Sequence, residues 1–282
     1  MESNYAKYID LYEHRYFYQD GICYDIYNLP KNFVIKGNLQ WGDPSRDVRW
    51  RPTHLPDLST VTLLGHFICS FSSLTDLTGA PKYVEGDFDC SGGHLGSLRG
   101  APKYVGGNFK CTEQTYTDYS GTHIVRSYKK MTNLLGAPEY VGGNFDCTGC
   151  YLKRLRGAPK YVGGNFDCSY NPNLENLLNA PKHVGGTFNF KDTNVTKLKG
   201  APEYVGGDFI GGPNISSLRH LPKHIGGTAR INTHMAANRF APKHALNIKF
   251  SNISKEQIKM MVENSLQYRV KSLFSKILGH NK

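Results

Sequence analysis

The sequence of 282 residues has no apolar run long enough to span a membrane. Its first residues, MESNYAKYIDLYEH, lack the apolar core of a secretory signal peptide, and this favours a cytoplasmic location. No set of side chains typical of a catalytic site is recognisable, so the sequence predicts a protein that is not an enzyme and needs no cofactor or metal. Acidic residues are comparatively few, 23 against 34 lysines and arginines, and the formal net charge of +11 is compatible with an acidic partner.

Cysteine occurs seven times, an odd number that does not allow complete disulfide pairing. Five of the seven share one position, two residues after a phenylalanine: Cys69, Cys90, Cys111, Cys147 and Cys168. We predict that these thiols are buried, reduced and act as small hydrophobic side chains, which suits a reducing compartment. Cys147 and Cys150 form a Cys-x-x-Cys pair, but Cys147 already occupies the buried position, so a redox or zinc site is the lesser alternative.

Glycine is abundant, with 30 residues, and it recurs periodically. The segment GAPEYVGGNFDC that begins at Gly136 returns almost unchanged as GAPKYVGGNFDC from Gly157. Proline marks the clear copies, which lie at Pro81, Pro102, Pro138, Pro159, Pro181, Pro202 and Pro222. The spacing is 20 to 22 residues except for one step of 36, and degenerate copies extend the series in both directions. The sequence therefore predicts a solenoid of about ten coils over residues 28–252.

One coil shows how the repeat is expected to fold. In Asn165-Phe166-Asp167-Cys168 the polar and apolar residues alternate, which predicts a short, half-buried strand that pairs in parallel with its neighbours. The Gly-Gly pair before the strand is expected to make a tight bend through positive φ angles. The Leu-x-x-Leu that follows supplies a second apolar wall, and the Ala-Pro shapes the return leg.

Helical caps are predicted at both ends of the stack, because solenoids must cover their terminal coils. Residues 1–27 are assigned to the first cap, since Tyr5, Tyr8, Tyr12 and Tyr16 recur at helical spacing. Residues 253–282 are assigned to an amphipathic helix that begins with a capping box at Ser254.

The core motif Pro-x-x-Val-Gly-Gly-x-Phe-x-Cys, followed by Leu-x-x-Leu, resembles a leucine-rich repeat. It is similar to the short repeats of secreted bacterial effector ligases, although it is one residue longer between the proline and the strand. It resembles still more closely the Gly-Ala-Pro-x-x-Val-Gly-Gly repeats of uncharacterised bacteriophage proteins. The resemblance implies a macromolecule-binding fold. It further implies a phage-encoded factor in the host cytoplasm that engages a host or viral protein, in host takeover or anti-defence.

Specificity for a protein partner is predicted where the repeat is broken, because regular coils present a uniform face. One break is the segment from Trp41 to Arg51, and the other is an insertion near residues 113–130, within the 36-residue step. Both combine aromatic and basic residues, which are common in interface hot spots. Outward strand positions add a rather acidic face. The candidate protein-binding residues are Trp41, Arg49, Trp50, Arg51, Tyr116, Tyr119, His123, Arg126, Tyr128, Asp146 and Asp167.

Two other functions stay open at this stage. One is a structural part of a virion or viral assembly, which a rigid solenoid suits as well. The other is nucleic-acid binding, because basic residues alternate with aromatic ones around each repeat proline. The candidate nucleic-acid-binding residues are Lys82, Lys103, Lys160, Lys182, Arg99 and Arg156. The oligomeric state is not predicted.

Overall fold

Each coil of the repeat contributes two short strands, and like strands of successive coils pair in parallel. The computed structural model describes residues 8–10, 15–41, 53–112, 116–117, 123–124, 130–212, 214–231, 241–251 and 253–279. Side chains are not described for residues 1–14, 113–129 and 268–282. The described chain is a parallel β-solenoid with little helix. Strands are numbered β1 to β24 in chain order.

The strands that contain the repeat phenylalanine, together with three strands that lack it, form one sheet of eleven, called the phenylalanine sheet. Its strands, in spatial order, are β1 (Tyr8–Asp10), β5 (Asn38–Gln40), β7 (Phe67–Ile68), β9 (Phe88–Asp89), β11 (Phe109–Lys110), β15 (Phe145–Asp146), β17 (Phe166–Asp167), β19 (Phe188–Asn189), β21 (Phe209–Ile210), β23 (Thr228–Arg230) and β24 (Lys249–Phe250).

The Tyr-Val dipeptides and the residues at the same position in other coils form a second sheet of nine strands, called the valine sheet, which was not predicted from the sequence. Its strands are β4 (Val34–Ile35), β6 (Thr62–Leu63), β8 (Tyr83–Val84), β10 (Tyr104–Val105), β14 (Tyr140–Val141), β16 (Tyr161–Val162), β18 (His183–Val184), β20 (Tyr204–Val205) and β22 (His224–Ile225). Two antiparallel hairpins complete the set: β2 (Tyr16–Gln19) with β3 (Ile22–Asp25), and β12 (Tyr116–Thr117) with β13 (His123–Ile124).

The core lies between the two sheets and is built from columns of identical residues. The phenylalanines of seven successive coils are fully buried, and their rings stack face to face at centroid distances of 5.2–5.7 Å. Valines from Val84 to Val205 are fully buried opposite them. The predicted Leu-x-x-Leu wall is confirmed, since Leu152, Leu155, Leu174 and Leu177 are also fully buried. Each coil thus buries its apolar side chains only because its neighbours cover them.

The prediction that Gly-Gly needs positive φ is wrong. Positive φ occurs instead at the glycine before Ala-Pro, for example Gly157 at 91°. The second glycine of each Gly-Gly pair is required because the coils approach closely there. A Cβ on Gly164 would lie 2.9 Å from the carbonyl carbon of Gly143 and would overlap Oδ1 of Asn144. The glycine column consists of Gly65, Gly86, Gly107, Gly143, Gly164, Gly186, Gly207 and Gly227, and a Cβ at each would come within 3.0 Å of the preceding coil.

The predicted N-terminal helical cap is wrong for the described residues, which form strands. The reason is local: Asp20 and Gly21, at φ angles of 50° and 80°, make a two-residue turn between β2 and β3. Asp-Gly is a strong hairpin signal, and tyrosine itself favours strands. The hairpin packs against the first coil, because Phe17 is buried and its ring lies 6.4 Å from that of Phe33, the residue before β4.

Nine coils of the described chain carry both strands, from β4 and β5 to β22 and β23, and the eight steps between them correspond to about eight turns of the solenoid, not the predicted ten. The copy at Pro242 forms only a 3-10 helix, Lys243–Asn247, and the strand β24. In the register that sets Thr228 opposite Lys249, Ile248 stands where the preceding coil has Gly227, so this copy lacks the glycine that the close approach of the coils requires. The C-terminal helix α1, Lys255–Gly279, is present, with the predicted capping box between Ser254 and Gln257.

Candidate functional site

The insertion within the 36-residue step leaves the stack uninterrupted. β11 and β15 lie on either side of it in the chain, yet they pair directly, with Phe109 opposite Phe145. The backbone N–H groups of Phe109 and Cys111 donate to the next coil at 2.8 and 2.9 Å, like those of Phe88 and Cys90 at 2.7 and 2.9 Å. The described part of the insertion is the hairpin β12–β13. The parallel register of the stack therefore continues directly from β11 to β15.

A groove opens where the insertion leaves the stack. This strand-end groove has a volume of about 610 Å³ and lies at the ends of β11 and β15. Its lining residues are Lys110, Thr112, Asp146, Thr148, Gly149, Tyr151, Tyr170 and Pro172. Lys130, just after the insertion, places its Nζ 4.1 Å from the centre of the Tyr151 ring. Both ends of the insertion thus adjoin the groove.

Two tyrosines of the groove have unusual backbone conformations. Tyr151 and Tyr170 have φ angles of 60° and 54°, in the left-handed region that costs a non-glycine residue about 1–2 kcal/mol. Tyr170 occupies the position of Gly92 and Gly149 in other coils, two residues after the buried cysteine. Its side chain is 57% exposed. A strained, exposed aromatic residue therefore stands where glycine would be relaxed.

Asp146 and Asp167, predicted on the outward strand face, have different surroundings. Both are half-buried, and Oδ1 of each accepts hydrogen bonds from the backbone N–H and the hydroxyl two residues later, which caps the strand end. Asp167 also receives the Nδ2–H of Asn189 on Oδ2 at 2.9 Å. Only Asp146 lines the strand-end groove. Asp146 can therefore contact a ligand there, whereas Asp167 is engaged by its own coil and the next.

The other predicted protein-binding residues divide into three groups. Trp41 is 4% exposed and packs in the core, so we do not include it in a surface. Tyr116 and His123 lie in the insertion hairpin, where only the backbone is described. Arg49, Trp50, Arg51, Tyr119, Arg126 and Tyr128 lie outside the described residues.

The aromatic residues beside the repeat lysines form a ring ladder along the valine sheet. It consists of Tyr83, Tyr104, Tyr140, Tyr161, His183, Tyr204 and His224. Neighbouring rings lie 4.5–4.9 Å apart and within 8° of parallel. The faces of each inner ring are thus covered by its neighbours, and only the ring edges reach solvent. Base stacking needs a free ring face, so the inner rings do not offer one to nucleic acid.

The lysines of this side are exposed, and glutamates interrupt their charge. Glu139 pairs with Lys103 and Lys160, and Glu203 pairs with Lys182 and Lys223. The hydrogen bond from Lys160 lowers the pKa of Glu139, and those from Lys223 and Lys182 lower the pKa of Glu203. Lys82 has no ion pair within the described part of the chain. Arg99 and Arg156 are exposed near the prolines.

A polar column before the phenylalanines also holds the coils together. Its members are Asp87, Asn108, Asn144, Asn165, Thr187 and Asp208, and the side-chain oxygen of each accepts the backbone N–H of its counterpart in the next coil at 2.6–3.2 Å. These residues are therefore structural, and the asparagine before the phenylalanine is the sequence signal for them.

The predicted burial of the repeat cysteines is confirmed. All seven cysteines are unpaired, and the five at the repeat position are buried, as is Cys150. Burial raises the pKa of the Cys69, Cys90 and Cys168 thiols well above the usual value. Cys150 donates to the carbonyl oxygen of Cys111 at 2.9 Å. The Cys147-x-x-Cys150 pair thus lies in the core.

Comparisons with known proteins identify no relative of this chain. No family model, no curated protein and no solved structure matches the chain. Within the described ranges, no group of three or more His, Cys, Asp or Glu side chains is arranged to hold a metal ion. The helices of the described part are also too short or too polar to cross a membrane.

Proposed function

We propose that the protein is a non-enzymatic, protein-binding solenoid whose recognition surface is the insertion at residues 113–129 together with the strand-end groove. The observation that carries the proposal is the continuous register across the insertion, from Phe109 to Phe145. A segment that the stack does not need is free to serve another purpose. The likeness of the repeat to leucine-rich repeats, which mostly bind macromolecules, also supports it.

The composition of the groove supports a polypeptide ligand. Tyr151 and Tyr170 supply aromatic surface, Lys110 and Asp146 supply opposite charges, and Thr112 and Thr148 supply hydroxyls. Aromatic residues beside a few polar groups are typical of protein interfaces. The left-handed φ of Tyr170 supports the same surface, because strain of this kind is retained at functional sites more often than elsewhere.

The competing hypotheses have less support from the geometry. Nucleic-acid binding through the ring ladder has less support for two reasons. The inner rings have no free face for base stacking, and Glu139 and Glu203 interrupt the basic column. A structural role in a viral assembly stays a prediction. That the partner is a host or viral protein rests on the resemblance to phage repeats, and so does a host-cytoplasmic location.

The test compares capture of partner proteins by the tagged whole protein and three variants in extract of the cells that make it, with mass spectrometry as the readout. Deletion of Thr115 to Ser127 should leave the unfolding temperature within a few degrees of the original and weaken capture at least tenfold. Tyr170→Gly should relieve backbone strain, stabilise the fold by about 1 kcal/mol and weaken the same capture.

Asp192→Gly is the matched control, because Asp192 has a φ of 56° at the same coil position but lies outside the groove. It should stabilise the fold by no more than Tyr170→Gly, because aspartate adopts left-handed φ more readily than tyrosine, and it should leave capture unchanged. A stable deletion variant with full capture would rule out the proposed surface. A deletion that unfolds the stack would show that the insertion is structural.

A further inference from the structure

The phenylalanine sheet ends at β24 with one edge unoccupied among the described residues. β24 pairs with β23 alone, with Phe250 opposite Ala229. The backbone N–H of Ser251 donates to the carbonyl oxygen of Ala229 at 3.1 Å. Because neighbouring residues of a strand direct their backbone groups to opposite edges, the N–H and C=O of Phe250 point away from β23. They point to the place where a further coil would lie.

In the preceding coils, the equivalent backbone groups form hydrogen bonds to the next coil. The N–H of Phe166 donates to Thr187 and that of Phe188 to Asp208, each at 2.9 Å. The side chains show the same difference, since Phe188 and Phe209 are fully buried whereas Phe250 is only half-buried. The end of the sheet therefore presents a pairing edge and an incompletely covered apolar side chain.

A groove of about 910 Å³ occupies this place, between β24 and the first turns of α1. We call it the terminal groove. Its apolar lining includes the half-buried Ile248 and Phe250 and the buried Ile253 and Ile258, and Leu246 at its margin is 42% exposed. This lining matches the inner face that a strand with alternating apolar residues would present.

Three exposed lysines line the terminal groove, Lys249, Lys255 and Lys259, against one carboxylate, Glu256. None of the three has an ion pair within the described part of the chain. An occupant with carboxylates on its outward side would pair with them, whereas a basic occupant would be repelled.

We propose that the terminal groove binds an extended, acidic segment of a partner protein, which adds to β24 as a twelfth strand of the phenylalanine sheet. Backbone hydrogen bonds to Phe250 would provide affinity, as in other cases of strand addition, and the lysines would select for acidic residues. A second copy of this chain suits the site less well, because the chain carries a net charge of +11. The proposal is independent of the recognition surface at the insertion.

Fluorescence polarisation with the whole protein at low ionic strength tests this. The probe is a fluorescein-labelled peptide of eight residues in which glutamate and valine alternate. It should bind saturably, and the same peptide with every backbone nitrogen methylated should bind at least tenfold more weakly, because it cannot donate to a strand edge. A lysine–valine peptide should not bind.

The variants Lys249→Glu and Lys259→Glu should each weaken binding of the acidic peptide at least fivefold. Lys197→Glu, an equal charge change at an exposed lysine outside the groove, should leave it within twofold. Equal binding of the methylated peptide would overturn strand addition, and so would the absence of saturable binding. Self-association of the protein that the acidic peptide displaces would overturn the choice of occupant in favour of a second copy.

Discussion

Replacement of Gly164 by alanine should destabilise the protein by about 2–4.5 kcal/mol, and by about 3–5 kcal/mol relative to alanine at a glycine without close neighbours. The new Cβ would lie 2.9 Å from the carbonyl carbon of Gly143 and would overlap Oδ1 of Asn144. To make room, the two coils must separate or the Asn144 side chain must move. That would break the hydrogen bond from Asn165 N–H to Asn144 Oδ1, 2.7 Å, and the one from Gly164 N–H to Gly143 O, 2.8 Å.

The magnitude follows from these contacts. Two hydrogen bonds at about 1 kcal/mol each account for about 2 kcal/mol. Overpacking of a tightly packed site adds about 1–3 kcal/mol. Alanine also restricts the unfolded chain, which favours folding by about 0.4–1 kcal/mol at any glycine whose φ alanine can adopt. A control glycine without close neighbours removes this last effect from the comparison.

Gly93→Ala is that control. The nearest atom to its Cβ would be the carbonyl oxygen of Ser72 at 3.4 Å, an ordinary contact, and its φ is not in the left-handed region. Urea denaturation followed by circular dichroism gives the free energy of unfolding of both variants. Gly93→Ala should match or slightly exceed the original protein. A difference between the two variants below about 1 kcal/mol would refute the argument that close coil approach selects glycine at this position.

Two further predictions concern the cysteines. Thiol reagents should label native Cys90, Cys111 and Cys168 slowly and the exposed Cys23 rapidly, with all equal after denaturation; rapid native labelling of the three would contradict the inward register. Because burial raises the folded-state pKa of the Cys69, Cys90 and Cys168 thiols, their contribution to stability is complete below the unfolded pKa of about 8.5 and declines above it. Above that pH, each buried thiol should lower the free energy of unfolding by up to about 1.4 kcal/mol per pH unit. Urea titrations between pH 8 and 10 should therefore show a steep decline in stability. A flat profile would count against buried thiols.

The sequence predicted the phenylalanine sheet because Phe166 and Cys168 alternate with polar residues, and alternation is the direct consequence of a strand with one buried face. It did not predict the valine sheet. Tyr161–Val162 is too short for any periodicity to be seen, and it forms a strand only because the coils on both sides pair with it.

Two of the wrong predictions have local physical causes. Tyrosines at helical spacing suggested an N-terminal helix, but the Asp20-Gly21 turn and the strand preference of tyrosine favoured a hairpin. We predicted positive φ at Gly-Gly because glycine adopts it readily. Glycine is also required where the backbones of successive coils approach closely, and this is the reason at Gly164. Sequence alone does not distinguish these two reasons for a glycine.

The candidate site was predicted in part. The break in the 36-residue step identified the insertion, and Asp146 was selected from the outward strand position. Tyr151 and Tyr170 were missed, because their significance depends on φ angles and on the groove that they share. A tyrosine at the position of Gly92 and Gly149 was the available signal.

Hydrogen exchange at the amides that bridge the insertion tests the central claim, that the insertion is carried by an uninterrupted stack. The N–H groups of Phe109 and Cys111 donate to Asn144 and Asp146, as those of Phe166 and Cys168 donate to Thr187 and Asn189. In the original protein and after deletion of Thr115 to Ser127, the two pairs should show protection within about 1 kcal/mol of each other. Exchange at Phe109 and Cys111 that is orders of magnitude faster would mean that the insertion divides the solenoid, and it would contradict the account.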